Sequence, residues 1–153
     1  LCFSSGMGAA DAIIKLLRPG DEVIATDDLY GGSYRMFEKV FSHFGIKFHY
    51  VDMGNIPAVQ NVMSEKTKML WIETPTNPMM KVIDIKAMSE TRSKESGIIV
   101  VVDNTFASPY LQNPLDHGAD IVMHSATKYL GGHSDVVMGA LATNDSCSLN
   151  FTT

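Results

Sequence analysis

The segment 124-HSATKYLGGHSD-135 holds the residues whose types and spacing are best suited to chemistry. It follows an apolar run and leads through two glycines into a second one, 136-VVMGALA-142. Lys128 lies at its centre, with the hydroxyl residues Ser125 and Thr127 just before it. A lysine after a strand is, in most proteins, an ordinary surface residue. Held at the end of a parallel strand, however, its amine could form a Schiff base with a carbonyl group.

The elements that must position this segment alternate between strand and helix patterns. Short apolar runs typical of buried strands are separated by stretches with apolar residues at helical spacing. This alternation predicts an α/β fold with a mostly parallel sheet that is covered by helices on both faces. The predicted strands are 1–3, 22–26, 46–51, 68–73, 98–103 and 120–124. The first predicted helix starts at Ser4–Gly6 and stops at Pro19–Gly20. Two more cover residues 33–44 and 55–63, and a fourth runs from Asp84 to about Ser96.

Ligands of such sheets bind beyond the carboxyl ends of the strands, which directs attention to Ser5-Gly6-Met7. A helix that starts there offers free backbone N–H groups and a positive dipole end to a phosphate. The same residues are also compatible with an ordinary helix cap. Ser125 and Thr127 could add hydroxyl donors. The motif is not GxGxxG, and no acidic residue is placed to bind a ribose, so we do not expect a dinucleotide.

Three further polar residues follow predicted strands. Asp103 ends the most apolar strand, where a carboxylate is costly unless it is paired or hydrogen-bonded. It is either a turn residue that caps the next loop or the partner of a protonated ring nitrogen. Tyr30, beside two glycines, could stack on a flat ligand or be a half-buried turn aromatic. Asn77, in 74-TPTNP-78, could bind a phenolic oxygen or be a turn asparagine.

Composition narrows the possible classes of protein. The chain has 153 residues, enough for one core, with 45% hydrophobic residues and a net charge of −5. Mild acidity without a basic cluster argues against a nucleic-acid partner, and the apolar runs are too short to span a bilayer. The two cysteines, Cys2 and Cys147, predict free thiols of a reducing compartment such as the cytoplasm. The histidine spacing does not predict a metal site.

The motifs SSGMGAA, DDLYGG, ETPTNP, VVDNTF and SATKYLGGHSD occur in this order from residue 4 to residue 135. Their types and order closely resemble the pyridoxal-phosphate enzymes of cysteine and methionine metabolism, in particular the cystathionine γ-lyases and γ-synthases. The resemblance implies the large domain of the aspartate-aminotransferase-like fold type I over residues 1–143. The tail 144–153 does not match the family and stays unassigned.

The resemblance also implies roles for the residues singled out above. Lys128 would form the Schiff base with pyridoxal 5'-phosphate, and Asp103 would pair with its ring nitrogen. Tyr30 would stack on the ring and assist proton transfers, and Asn77 would bind the phenolic oxygen. The phosphate would be held by two backbone N–H groups and two hydroxyl groups, those of Gly6, Met7, Ser125 and Thr127.

The family further implies transsulfuration by γ-elimination or γ-replacement on a sulfur amino acid, in a homotetramer built as a dimer of dimers. Because the chain starts with Leu1 at a predicted strand, we expect a fragment. The resemblance implies that this fragment lacks the substrate-carboxylate arginine and the phosphate ligands of a neighbouring subunit. Three alternatives remain: a cystathionine β-lyase, an aminotransferase of the same fold, or an inactive domain that serves only for binding or oligomerisation.

Overall fold

The structure is a computed structural model that describes residues 1–93 and 96–144. Within these segments seven strands form one sheet in the order β1-β7-β6-β5-β4-β2-β3. The strands are β1 (Cys2–Phe3), β2 (Glu22–Thr26), β3 (Lys47–Val51), β4 (Thr67–Glu73), β5 (Ile99–Asp103), β6 (Ile121–Ser125) and β7 (Gly139–Thr143). Strands β2 to β6 pair in parallel, whereas β7 is antiparallel to β1 and β6. The predicted mostly parallel sheet is confirmed.

Helices cover both faces of this sheet. They are α1 (Gly6–Ile14), α2 (Gly31–Lys39), α3 (Ile56–Val62), α4 (Ile85–Ser89) and α5 (Ser108–Leu111), with 3₁₀ helices at Phe41–Phe44 and Pro114–His117. At the start of α1, α3 and α4, a side chain accepts a backbone N–H of the first turn; the accepting side chains are those of Ser5, Asn55 and Asp84. These caps satisfy donors that have no partner inside the helix, which fixes where the helices start.

The core has two halves, one on each face of the sheet. Consecutive strand residues point to opposite faces, so Trp71 packs with α1 and α2 while its neighbour Leu70 packs with α3 and α4. On the first face the Phe37 ring stacks on Phe48 at 4.6 Å and meets Trp71 edge-on at 5.2 Å between ring centroids. Aromatic pairs of this kind contribute about 1 kcal/mol each beyond the area they bury.

The predicted helix over 33–44 is wrong at both ends. It starts at Gly31 and ends at Lys39, because the backbone at Val40 leaves the helical region with φ −120° and ψ −68°. The helical period is broken there, so Val40 and Phe44, which the pattern places in the core, are 44% and 63% exposed. Gly45 closes the following 3₁₀ helix with φ +80°, in the left-handed region that favours glycine.

The predicted helix from Asp84 to about Ser96 is too long, since α4 ends at Ser89. The chain turns back beyond it, and the Arg92 guanidinium donates to the carbonyl oxygen of Ile98 and to the Asp120 carboxylate. A continuous helix would carry Arg92 away from these acceptors. Residues 94–95, inside the predicted helix, lie outside the described residues, as do residues 145–153 of the predicted tail and Cys147.

None of the helices in the described part of the chain combines the length and the apolar composition that crossing a bilayer requires.

Candidate active site

A cavity of about 440 Å³ opens at the edge of the sheet where the parallel strands end. Its lining includes all eight residues that the sequence singles out for binding or chemistry, namely Gly6, Met7, Tyr30, Asn77, Asp103, Ser125, Thr127 and Lys128. They converge because each lies at, or a few residues beyond, the carboxyl end of a strand. The structure therefore brings the predicted residues together in one place.

The start of α1 forms one corner of the cavity. Ser5 accepts the N–H of Gly8 on its hydroxyl at 3.0 Å and that of Ala9 on its carbonyl at 3.1 Å. The described hydrogen bonds of this helix start therefore leave the N–H groups of Gly6 and Met7 available to a ligand. A Cβ atom at Gly6 would lie 2.7 Å from the Cβ of Ser125, so only glycine lets the helix start come this close to the end of β6.

Lys128 lies in the loop between β6 and β7 and is exposed. Its N–H donates to the carbonyl oxygen of Ser125 at 3.0 Å, and its own carbonyl accepts from Gly132 at 2.8 Å. The Thr127 hydroxyl donates to the Met138 carbonyl at 3.2 Å and accepts the Met138 N–H at 3.0 Å. Thr127 thus ties the two sides of the loop together, and it must release Met138 before its hydroxyl can donate to a phosphate.

Asp103 forms the floor of the cavity and is 5% exposed. Thr105 donates both its N–H (3.1 Å) and its hydroxyl (2.6 Å) to Oδ1, while the Thr105 hydroxyl oxygen accepts the Ser125 N–H at 2.8 Å. Among the described residues these bonds to the carboxylate engage Oδ1 alone. Burial raises the pKa of Asp103, so a nearby cation is needed to keep the group fully ionised. Thr105 lies just beyond the end of a predicted strand, but the sequence assigns it no role.

Glu73 is a buried acid of the cavity to which the sequence assigned no role. It ends β4 directly beside Asp103 on β5 and is 5% exposed. Burial, and after it the negative charge of Asp103, raises the pKa of Glu73 to about 8. A signal was present, because Glu73 ends an apolar strand as Asp103 does. What the sequence did not reveal is that the two strands are neighbours in register.

Tyr30 lies at the rim and is 46% exposed. Its N–H donates to Glu73 Oε2 at 2.9 Å. Its ring lies over Gly32, since a Cβ atom there would come within 2.3 Å of the Tyr30 Cε1 atom. The ring therefore rests against Gly32, and Tyr30 also lines the cavity.

The loop that carries Asn77 is anchored from outside the cavity. The Thr76 hydroxyl and the Met79 N–H both donate to the Asp28 carboxylate. The Lys81 ammonium group forms a salt bridge with Asp27 at 3.0 Å. These contacts join the loop after β4 to the loop after β2, and they hold half-buried Asn77 at the wall of the cavity.

Comparison with known proteins gives a consistent result. The model of the family described as Cys/Met metabolism PLP-dependent enzymes matches residues 1–152. A cystathionine γ-lyase of Dictyostelium discoideum is 54% identical over 145 residues, which are 95% of this chain and 37% of the relative. A cystathionine γ-synthase of Mycobacterium leprae is 51% identical over 144 residues, 94% of this chain and 37% of the relative. The chain thus spans a little over a third of the length of these curated relatives.

A solved structure shows the same fold. The cystathionine γ-lyase from Lactobacillus plantarum, complexed with L-serine, superposes with a TM-score of 0.92 at 42% sequence identity. The match covers 95% of this chain and 38% of that one. It confirms the prediction of the large domain of fold type I. With the family model matched along almost its whole length, the chain belongs to the family of Cys/Met metabolism enzymes that depend on pyridoxal phosphate.

Proposed function

We propose that this chain is the cofactor-binding part, residues 1–143, of a pyridoxal-phosphate-dependent transsulfuration enzyme. The reaction is γ-elimination or γ-replacement on a sulfur amino acid, as in the cystathionine γ-lyases and γ-synthases among its relatives. One observation carries the proposal: an amine, a buried carboxylate and the start of a helix line a single cavity. No one of these three features would be sufficient alone.

The residues present fit pyridoxal phosphate. Its phosphate suits the corner at α1, where the N–H groups of Gly6 and Met7 and the dipole of the helix favour an anion. Gly6 and Ser125 are close enough there to form one continuous wall. The buried carboxylate of Asp103 lacks a cation among its described hydrogen-bond partners, and a protonated ring nitrogen would supply one.

The bound cofactor would supply an electron sink for negative charge that develops on the substrate. Asp103 holds a proton on the ring nitrogen, because an ionised carboxylate in a buried site favours the protonated form of its partner. Asn77 would donate its amide N–H to the phenolic oxygen and so help to orient the ring. Tyr30 would stack on the ring and keep water from it.

Lys128 has two tasks. Its amine would hold the cofactor at its aldehyde carbon, and when free it would take the proton from the substrate Cα. Its exposure is consistent with both, since the side chain is not locked into the core. Tyr30, on the same rim, assists these proton transfers.

The substrate carboxylate needs a further partner. Arg92 is engaged with Asp120 and the carbonyl of Ile98, so it is not that partner. We infer that this arginine and the remaining phosphate ligands belong to other segments of a longer polypeptide and to a neighbouring subunit. A neighbouring subunit requires at least a dimer, and following the family resemblance we propose a homotetramer, a dimer of dimers, in the cytoplasm.

The cofactor assignment is tested with Lys128→Ala, in the longest polypeptide that contains this sequence. Wild type mixed with pyridoxal phosphate should develop a visible absorption band, and borohydride should fix the cofactor on Lys128. The variant should lose both. Lys86→Ala, which removes an exposed lysine of α4, is the matched control and should behave as wild type. A wild type without the band contradicts the proposal.

The reaction type is tested separately. Cystathionine as sole substrate measures γ-elimination, and an acylated homoserine with cysteine measures γ-replacement. Release of homocysteine from cystathionine would instead indicate β-elimination, the reaction of a β-lyase. Transfer of the amino group to a keto acid would indicate an aminotransferase.

A further inference from the structure

Glu73 and Asp103 form a pair of buried carboxyl groups in the floor of the cavity. They are register partners on neighbouring parallel strands, β4 and β5. Partners of this kind point to the same face, on strands about 4.8 Å apart. Each residue is 5% exposed, and both line the cavity. Two negative charges this close in a buried site repel each other strongly, so the pair favours a single charge.

Glu73 is held rigidly at its main chain. Its N–H donates to the Thr26 hydroxyl at 3.1 Å, and the same hydroxyl donates to the Trp71 carbonyl at 3.4 Å. Thr26 is fully buried at the end of β2, so the last residue of β4 is fixed to the neighbouring strand. The carboxyl group of Glu73 therefore reaches towards Tyr30 from a fixed base.

The Tyr30 turn depends on this carboxyl group. The Tyr30 N–H lies just before α2, where backbone donors have no partner inside the helix, and it donates to Glu73 Oε2 at 2.9 Å. The Tyr30 ring meanwhile rests against Gly32. One contact fixes the main chain and the other fixes the ring, so the ring is oriented by both together.

The hydrogen bonds of Thr105, whose N–H and hydroxyl both donate to Asp103, favour Asp103 as the ionised member of the pair. Burial raises the pKa of Glu73 most, and the negative charges of Asp103 and Asp28, after β2, raise it further. The N–H groups of Tyr30 and Asn77 oppose this effect but do not overcome it. Lys128 lines the same cavity from the β6–β7 loop.

We propose that Glu73 is a positioning residue: its carboxyl group orients Tyr30 and leaves the one negative charge of the acid pair on Asp103. The inference rests on the proposed function, because it assigns Glu73 the task of preparing both the ring-covering residue and the ring-nitrogen partner. Glu73 acts through Tyr30 and Asp103 and does not itself touch the reacting atoms.

The charge distribution is tested by NMR on the chain without cofactor, labelled with ¹³C at the glutamate side-chain carboxyl groups. The Glu73 signal is the one lost in Glu73→Gln. We expect it to titrate near pH 8, as against about 4.3 for an ordinary glutamate. Glu38→Gln, which alters an acid bonded to Tyr50 outside the cavity, should leave this titration unchanged. A Glu73 signal that titrates with the ordinary glutamates overturns the inference.

The positioning of Tyr30 is tested with ¹⁵N-tyrosine labelling, which gives signals from only five residues, and Tyr30→Phe identifies the one required. In wild type the Tyr30 amide signal should shift with the Glu73 titration. In Glu73→Gln the amide should stay hydrogen-bonded and show no titration, whereas in Glu73→Leu it should exchange faster with solvent. A Tyr30 signal unchanged in Glu73→Leu overturns the inference.

Binding of pyridoxal phosphate distinguishes a failure of the proposed function from a failure of the role inferred for Glu73. Glu73→Leu should weaken binding about tenfold, the effect of losing one hydrogen bond to a charged or strongly polar group, and Glu73→Gln should restore most of it. If wild type takes up no cofactor, the proposed function fails, and the two NMR experiments still decide the inference. If wild type binds it but Glu73→Leu binds equally well with an unchanged Tyr30 signal, the inference alone fails.

Discussion

Gly6→Ala tests whether the close approach of α1 to β6 is as tight as the structure indicates. The new Cβ atom would lie 2.7 Å from Ser125 Cβ and 3.0 Å from Ser125 Cα and Oγ. Ser125 cannot easily withdraw, because its N–H is bonded to Thr105 and its main chain pairs with Gly139 on β7. The helix start must therefore shift away from the sheet to admit a methyl group.

The expected magnitude follows from two opposing effects. Overpacking of this kind costs about 1–3 kcal/mol, while replacing a helical glycine by alanine returns at most about 1 kcal/mol. The free energy of unfolding should then fall by about 0–3 kcal/mol for Gly6→Ala. Gly8→Ala, in the same helix, is the matched control: its Cβ atom would meet Ser5 Oγ at an ordinary 3.5 Å, so it should be neutral or stabilising by about 0.5–1 kcal/mol.

Urea unfolding measures both variants with one probe. Trp71 is the only tryptophan and is fully buried on β4, so its fluorescence reports the core. The midpoint should fall for Gly6→Ala and hold or rise for Gly8→Ala, with the same dependence on urea in all three proteins. If Gly6→Ala is as stable as Gly8→Ala, the reasoning from the Gly6–Ser125 contact is refuted.

Two further predictions concern the neighbourhood of this contact. Gly139→Ala should lower the free energy of unfolding by about 3 kcal/mol in the same urea assay. Its Cβ atom would lie 2.1 Å from the Ser5 carbonyl oxygen, a main-chain atom that cannot rotate away. A decrease no larger than that of Gly6→Ala would contradict this prediction. Burial of His124 lowers its pKa, so the unfolded chain binds the proton first, and stability falls as pH drops below about 6.5. His124→Gln removes this contribution. Between pH 7.5 and about 5.5, the free energy of unfolding should therefore decrease less in the variant than in wild type. An equal decrease in both proteins would contradict the prediction.

The strands could be predicted from the sequence because burial on both faces leaves a continuous apolar run, as in 98-IIVVVD-103. Helix ends were less predictable. Apolar residues continue at helical spacing through Val40 and Phe44, although the helix has ended at Lys39. The turn that brings Arg92 to Asp120 depends on a contact 28 residues away, which no local pattern contains.

The predicted site residues converge because their positions follow one topological rule, and each could be found by locating the end of a strand. Glu73 shows the limit of that rule. It occupies such a position, but its significance comes from Asp103 beside it, and the register that pairs the two residues is not contained in any local sequence pattern. Gly32 is similar, since its importance lies in the ring above it.

The antiparallel strand β7 has a consequence for the lysine segment. Ser125 and Gly139 are register partners, so residues 126–138 form a loop whose two ends are closed by the sheet. The entropy of closing such a loop changes slowly with its length, by about 0.6 kcal/mol for each doubling. Insertions between Tyr129 and Met138 are therefore inexpensive, whereas a one-residue slip of β7 against β6 would turn Gly139 away from Ser5. The length of the loop beyond Tyr129 can thus change while the end of β6 keeps Lys128 in place.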